Sequence, residues 1–154
     1  MSLFKAYKYR IYPNNNQKIA LAKHFGCNRF VYNWALAKSN EQYQKDKKSF
    51  SCNKLVNDMV KLKKEESTSF LNEVYSQTLQ SSIRNLDKAF TSFFKKKNKF
   101  PKFKKKSNNQ SFQLPQNVKI NEKNSTIILP KIKGEIKTIF RELLCPEGHS
   151  FSGT

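Results

Sequence analysis

The stretch "LFKAYKYRIYP", Leu3 to Pro13, alternates with a period of two. Phe4, Ala6, Lys8 and Arg10 fall on one face, and Leu3, Lys5, Tyr7, Tyr9 and Ile11 on the other. Aromatic and β-branched residues in that pattern predict a strand, which Pro13 ends. Both faces carry cations, so one of them meets solvent or a polyanion. One strand needs partners, and the residues that follow read as helices. The partners must therefore come from the far end of the chain.

"NNNQKIALAKHFG" opens the helical part. Asn14 is placed as N-cap, with Gln17 three residues on completing a capping box. Ile19, Ala22 and Phe25 share a face, His24 reads as a helix-surface residue, and Gly26 is a stop. A second helix is expected from about Cys27 to Lys47, with Phe30, Val31, Trp34, Ala35 and Ala37 as its apolar face. Two helices around a glycine turn fit a helix-turn-helix. A third helix is marked by Leu55, Met59 and Leu62, with Ser51 or Asn53 as cap. A longer one runs from about Glu73 to Lys97, with a stripe of Leu79, Ile83, Leu86, Phe90, Phe93 and Phe94 that reads as core.

Beyond residue 106 the pattern changes. "QSFQLP", "NVKI", "STIILP" and "EIKTIF" are short apolar or alternating pieces separated by Pro, Asn and Gly, and they read as strands. "INEKNS" is a hairpin turn between the second and third of them. The fold class is therefore α+β: a small sheet or barrel formed by the first strand and the C-terminal strands, interrupted by a helix-turn-helix-like insertion. The expected divisions are residues 1–13 for the first strand, 14–97 for the insertion, 98–141 for a basic linker with further strands, and 142–154 for a tail. That tail, "LLCPEGHSFSGT", shows no clear period, cap or strand partner.

The chain has 154 residues, one ordinary domain or two small ones. A hydrophobic fraction of 37% with 13 phenylalanines supports a packed core, unlike a disordered tail. Thirty Lys and Arg stand against 11 Asp and Glu, a formal net charge of +19. Such self-repulsion opposes the compact state unless a polyanion neutralises it. Nucleic acid is favoured over an anionic membrane, since no basic amphipathic helix dominates and no lipidation signal opens the chain. No apolar stretch reaches the roughly 20 residues that span a bilayer. The N-terminus lacks the apolar run of a signal peptide, so the expected location is the cytoplasm. Cys27, Cys52 and Cys145 are odd in number and form no Cys-x-x-Cys pair, which argues against a disulfide framework or a zinc site. Cys145 and His149 alone are too few to hold a metal. Asp46, Asp58 and Asp87 all lie in the helical part, and none ends an apolar strand as a metal-dependent nuclease would require. Neither a catalytic residue nor a cofactor is assigned.

"KKKNKFPKFKKK", Lys95 to Lys106, holds eight lysines and no acid. It reads either as a solvated tether or as a clamp on nucleic acid. As a clamp, Lys95, Lys96, Lys97, Lys99, Lys102, Lys104, Lys105 and Lys106 meet phosphates. Phe100 and Phe103 either anchor the run on the protein or stack on a base; anchoring is favoured, because Phe is usually buried.

"KAYKYRIYPNNNQ" followed by "FGCNRFVYNWAL" resembles the opening of the TnpB (OrfB-type) proteins of bacterial insertion sequences. "SQTLQSSIRNLDKAFTSFFKK", "FPKFKKKSNNQSF" and "LPKIKGEIKTIF" resemble their next blocks in the same order. The resemblance implies an RNA-guided DNA endonuclease family. Its N-terminal half is a wedge β-barrel with a helical recognition insertion, also known as a transposase helix-turn-helix. Its C-terminal half is a RuvC nuclease with a zinc ribbon. Neither the RuvC acidic motifs nor the zinc ribbon occurs in these residues. "CPEGHSFSGT" looks like a broken form of the family's "PEGKIK"-like continuation. The resemblance therefore implies a truncated family member that binds nucleic acid without cutting it. The alternatives are the N-terminal half of a split nuclease and a non-functional remnant. The implied partners are a transposon-end guide RNA, target DNA and a separate RuvC-bearing chain, with no membrane.

The family's target-motif contacts map onto Cys52, onto Ser76, Gln77 and Gln80, and onto Pro115 and Gln116. Gln80 matches the family best, and its amide suits adenine in a groove. Tyr7, Lys8, Arg10, Arg29, Tyr32, Asn33 and Arg84 complete the expected backbone and base contacts.

Overall fold

The computed structural model of the chain describes residues 3–4 and 6–139, and the backbone of 149–153. The elements run β1 (Ile11–Tyr12), α1 (Asn15–Asp46), α2 (Cys52–Leu62), a 3-10 helix (Glu66–Glu73) and α3 (Ser76–Phe94). The strands β2 (Gln110–Leu114), β3 (Lys119–Asn121), β4 (Thr126–Ile128), β5 (Ile136–Thr138) and β6 (His149–Gly153) follow.

The first strand does find its partner at the far end. β1 pairs antiparallel with β5, Ile11 opposite Thr138 and Tyr12 opposite Lys137. The Thr138 hydroxyl also donates to the Arg10 carbonyl at 3.0 Å. The sheet order is β1-β5-β4-β3, and the helices lie between β1 and β2 in sequence. Three corrections apply. Among the described residues the sheet is open, with no closed barrel. The strand covers two residues rather than Leu3–Pro13, because β5 offers a ladder of only three. The tail is not without a strand partner, since β6 pairs with β2 from Gln110↔Gly153 to Leu114↔His149.

The β3–β4 hairpin forms where "INEKNS" predicts it, with Asn121 opposite Thr126. Its turn is closed by Ser125 N–H donating to the Glu122 carbonyl at 3.3 Å.

The larger correction is α1. It is one helix of 32 residues, about 48 Å long, and it passes through Gly26 without a turn. A helical glycine costs about 1 kcal/mol relative to alanine, and the packing on either side outweighs that. The buried face is Gln17, Leu21, His24, Asn28, Val31 and Ala35, spaced alternately four and three as a continuous helix requires. Ile19 is therefore exposed at 59%, and Ala22 faces solvent too. The N-terminal half packs into the sheet's core through Leu21 with Phe112, Leu114, Ile127, Leu129, Ile132 and Ile136. The C-terminal half packs into a helical core through Val31, Ala35 and Leu36 with Leu55, Met59, Leu71, Leu79, Ile83 and Leu86. One helix thus joins two cores.

The capping box is present. Asn14 Oδ1 accepts from Gln17 N–H, and Gln17 Oε1 from Asn14 N–H, both at 2.9 Å. Gln17 is itself buried, and its Nε2 donates to the carbonyls of Lys133 and Glu135, both at 3.1 Å. This ties the start of α1 to the β4–β5 connection, whose Gly134 takes φ +82°.

α3 is shorter than expected at both ends. Glu66–Glu73 forms the 3-10 helix, and Val74 is extended and buried. At the other end Lys96 adopts φ 55°. Lys96 N–H donates to Phe93 and Lys97 N–H to Ser92, both at 2.9 Å, which is a Schellman stop. Leu79, Ile83, Leu86 and Phe90 are buried as the stripe predicts, while Phe94 is 61% exposed.

Candidate nucleic-acid interface

The lysine-rich segment does not hang free. Phe100 meets Phe90 and Phe93 edge-on, at 5.5 and 5.2 Å between centroids, beside the end of α3. Pro101 is buried. Asn33 on α1 then clasps the backbone, its Nδ2 donating to the Lys104 carbonyl at 3.0 Å and its Oδ1 accepting from Lys104 N–H at 2.8 Å. The Lys104 ammonium lies over the ring of buried Tyr32, 4.3 Å from its centroid. The cation is partly stripped of water there, which lowers its pKa. Arg29 donates to Gln110 Oε1 at 2.9 Å, holding the segment's exit into β2. The segment is thus fixed at Phe100, Lys104 and Gln110. Lys102, Lys105 and Lys106 between those points are exposed.

Arg29, Tyr32 and Asn33 follow from helical spacing, lying on adjacent turns of α1 where the segment crosses it. Their first duty is to the protein, since Asn33 spends its amide on the backbone and Tyr32 its ring on Lys104. Anchoring holds for Phe100. Phe103 is 53% exposed and has no ring partner among the described residues. Lys95, Lys96, Lys97 and Lys99 project from the α3 stop and are exposed.

A second group gathers along α2 and α3. Ser76 accepts from Lys63 Nζ at 2.6 Å, at the C-terminal end of α2. Desolvation lowers the pKa of Lys63, and Lys131 lowers it further. At the other end, burial raises the Cys52 pKa and Asp87 adds to it, while Arg84 pulls it down. These contacts set α2 antiparallel to α3, and Gln77, Gln80 and Arg84 lie along α3 between them at three- and four-residue spacing. Gln77 and Gln80 are half-buried, and Arg84 is exposed.

A third group stays apart from the lysine segment, on the sheet side. Tyr7 and Tyr9 stack at 6.3 Å, and Arg10 lies 5.9 Å over the Tyr12 ring. Lys8 is exposed. Pro115 and Gln116 lie just after β2 and are exposed, and the next residue, Asn117, donates to the Tyr75 hydroxyl at 2.6 Å.

The sequence reading missed what sits under these groups. His24 is buried, not a surface residue. Its Nδ1 meets the Ala20 carbonyl at 2.8 Å, its Nε2 accepts from Tyr75 N–H at 3.3 Å, and its ring stacks on Phe112. Together these bonds place the proton on Nδ1, and burial depresses its pKa. One turn on, Asn28 Nδ2 donates to His24 O and Thr78 Oγ1, and its Oδ1 accepts from Ser82 at 2.6 Å. The spacing of Gln17, Leu21, His24, Asn28 and Val31 is the signal that finds this face, once the helix is carried through Gly26.

Among the described residues no three His, Cys, Asp or Glu side chains group to hold a metal. Cys145 lies outside those residues. Nor is any described helix long and apolar enough to cross a membrane.

Similarities to known proteins bear on the family of the chain. Residues 1–48 match the helix-turn-helix domain model of the OrfB insertion-sequence type, although α1 shows no turn between those bounds. The chain is 36% identical over 132 residues to "Putative RNA-guided DNA endonuclease InsQ" of Escherichia coli K12, covering 86% of this chain and 33% of that protein. A protein of Streptomyces pristinaespiralis described in the same terms is 36% identical over 107 residues, 70% of this chain and 27% of its own length. The chain therefore spans about a third of these relatives. It is also 34% identical over 113 residues to the virulence protein VsdF of Salmonella dublin, covering 68% of this chain and 95% of VsdF.

Proposed function

We propose that the chain is a member of the TnpB (OrfB-type) family, a reading supported by the OrfB-type match over residues 1–48 and by the similarity to about a third of longer relatives, and that it binds nucleic acid through the lysine segment and the α2–α3 seam, contacting a guide RNA and target DNA. The chemical step falls to other residues of the machinery, in a RuvC-bearing part or chain. In this reading the chain divides into residues 1–13, 14–97, 98–141 and 142–154.

The observation that carries this reading is the fixing of the lysine segment. A solvated tether would lose its conformational freedom on binding, which weakens it. Here Asn33 and Phe100 have already ordered the backbone, so Lys102, Lys105 and Lys106 are displayed as a row of cations in advance of the ligand. Phosphate contacts then supply affinity that falls with salt. Arg29, Tyr32 and Asn33 become the support of that row. Gln77, Gln80 and Arg84 supply amide and guanidinium groups that can read base edges, with Ser76, Gln116, Tyr7, Lys8 and Arg10 alongside backbone phosphates.

The test is the salt dependence of binding to a transposon-end RNA and to duplex DNA, for the full chain and for a variant with Lys102→Glu, Lys105→Glu and Lys106→Glu. Lys104 is left in place because it is part of the clasp. On duplex DNA the variant's log–log salt slope should flatten by up to about 3, with circular dichroism unchanged. An unaltered slope and affinity would remove the segment from the interface.

A further inference from the structure

We propose that the cleft between α1, α3 and residues 104–111 takes one unstacked nucleotide of a bound single strand, its base against Phe25 and its phosphate on Lys105. This rests on the nucleic-acid reading above and names the ligand of one part of that interface. The cleft encloses about 110 Å³. That is room for one flat ring system, and well short of the roughly 300–1,000 Å³ of a site for a drug-sized molecule.

Its lining has three chemically distinct parts and no acidic residue. The apolar wall is Phe25, half-buried and held edge-on against Phe112 at 5.1 Å. The floor is Asn28 and Ser82, whose polar groups are already bonded to one another and to Thr78 and His24. The floor therefore makes no demand on a ligand. The rim carries Arg29, Lys105, Asn108 and Asn109. Arg29 is aimed by its bond to Gln110, which leaves it further N–H groups to donate. The Asn108 and Asn109 amides are exposed and make no side-chain hydrogen bond among the described residues. Each presents a donor and an acceptor together, as the edge of a nucleobase does.

A free phosphate would use the cations and the amide N–H groups and leave the ring and the amide carbonyls idle. A base within a duplex is stacked on its neighbours and cannot reach the wall. An unstacked nucleotide uses the ring, the amides and the cations together, with aromatic contact to the base and cationic contact to the backbone. The turn that carries the amides is closed by Asn108 N–H donating to the Lys105 carbonyl at 3.1 Å, so the backbone that bears the cation and the Asn108 amide is held in one turn.

The experiment compares unstructured oligo-uridine and oligo-adenine with a DNA duplex of equal length, by fluorescence anisotropy across a salt series. It uses the full chain and an Asn108→Ala/Asn109→Ala variant, which keeps every charge. The variant should lose about fivefold or more on the single strands, the scale of one or two neutral hydrogen bonds. Its duplex affinity and salt slopes should stay unchanged. Equal losses on both ligands, or no loss on either, would overturn the cleft assignment while leaving the lysine segment as an interface. Failure of the unmodified chain to bind any of the three would overturn both readings.

Discussion

Asn33 and Lys104 show how one side chain can turn a charge run into a surface. Two short hydrogen bonds from a single amide replace both backbone bonds that a strand neighbour would supply. The cation–π contact on Tyr32 then holds the partly desolvated Lys104 side chain against the protein. A cation so placed serves the fold before it serves a ligand. His24 is the opposite case, a titratable group kept neutral. Its buried ring has a depressed pKa, so the unfolded chain takes up a proton before the folded one does. Stability is fully present above the unfolded value near 6.5 and is lost as pH falls through the folded value. The unfolding free energy from urea titration should decline between pH 7.5 and 5.5, by at most about 1.4 kcal/mol per pH unit, and the urea midpoint with it. His24→Gln should be less stable at pH 7.5 yet lose most of that pH dependence. A midpoint that holds constant in the unmodified chain would mean that His24 charges freely in the fold.

At the level of elements, α1 does what two helices and a turn could not. A turn at Gly26 would let the sheet's core and the helical core move independently. The continuous helix fixes Leu21 in the first relative to Leu36 in the second, and so fixes the lysine segment, which crosses α1, relative to the sheet it enters. A Cβ at Gly26 would meet nothing within 4 Å, and the residue sits inside a helix. Gly26→Ala should therefore stabilise the protein by about 0.5–1 kcal/mol, through reduced freedom of the unfolded chain. A glycine serving as a helix stop would behave in the reverse way, since alanine is strained in the left-handed region. The sign of the change in thermal midpoint separates the two.

Across the whole molecule the charge is nearly uncompensated. The formal net charge is +19, and the ion pairs among the described residues are Lys23–Glu73 at 2.6 Å and Lys61–Asp58 at 3.7 Å. Both involve exposed lysines, so neither offsets much repulsion. The folded state should then be stabilised by whatever polyanion binds it. At low ionic strength, heparin or RNA should raise the thermal midpoint by several degrees, since about 1 kcal/mol shifts a chain of this size by roughly 2–4 °C. The same mass of neutral polyethylene glycol should leave it in place. An unchanged midpoint with heparin would mean that the charge is not what limits stability.

The sequence alone carried several features that depend on near neighbours, though not the 3-10 helix at Glu66–Glu73 or the stop of α3 at Phe94. Alternation placed the strands, the Asn14–Gln17 spacing placed the capping box, "INEKNS" placed the hairpin, and the stripe from Leu79 to Phe90 placed a core helix. It also required the first strand to seek partners far along the chain, and β1 pairs with β5. What it left open was decided by contacts between distant residues. Gly26 reads as a stop because glycine often is one, and only the packing of α1 against two cores carries the helix through it. His24 reads as a surface residue because its partners, Tyr75 and Phe112, are 51 and 88 positions away. That the lysine segment is held against the protein is not legible until Asn33, 71 positions before Lys104, is seen to hold it. Local pattern fixes which residues can pair, and long-range burial chooses among them, because the energy of that burial is absent until the whole chain has folded.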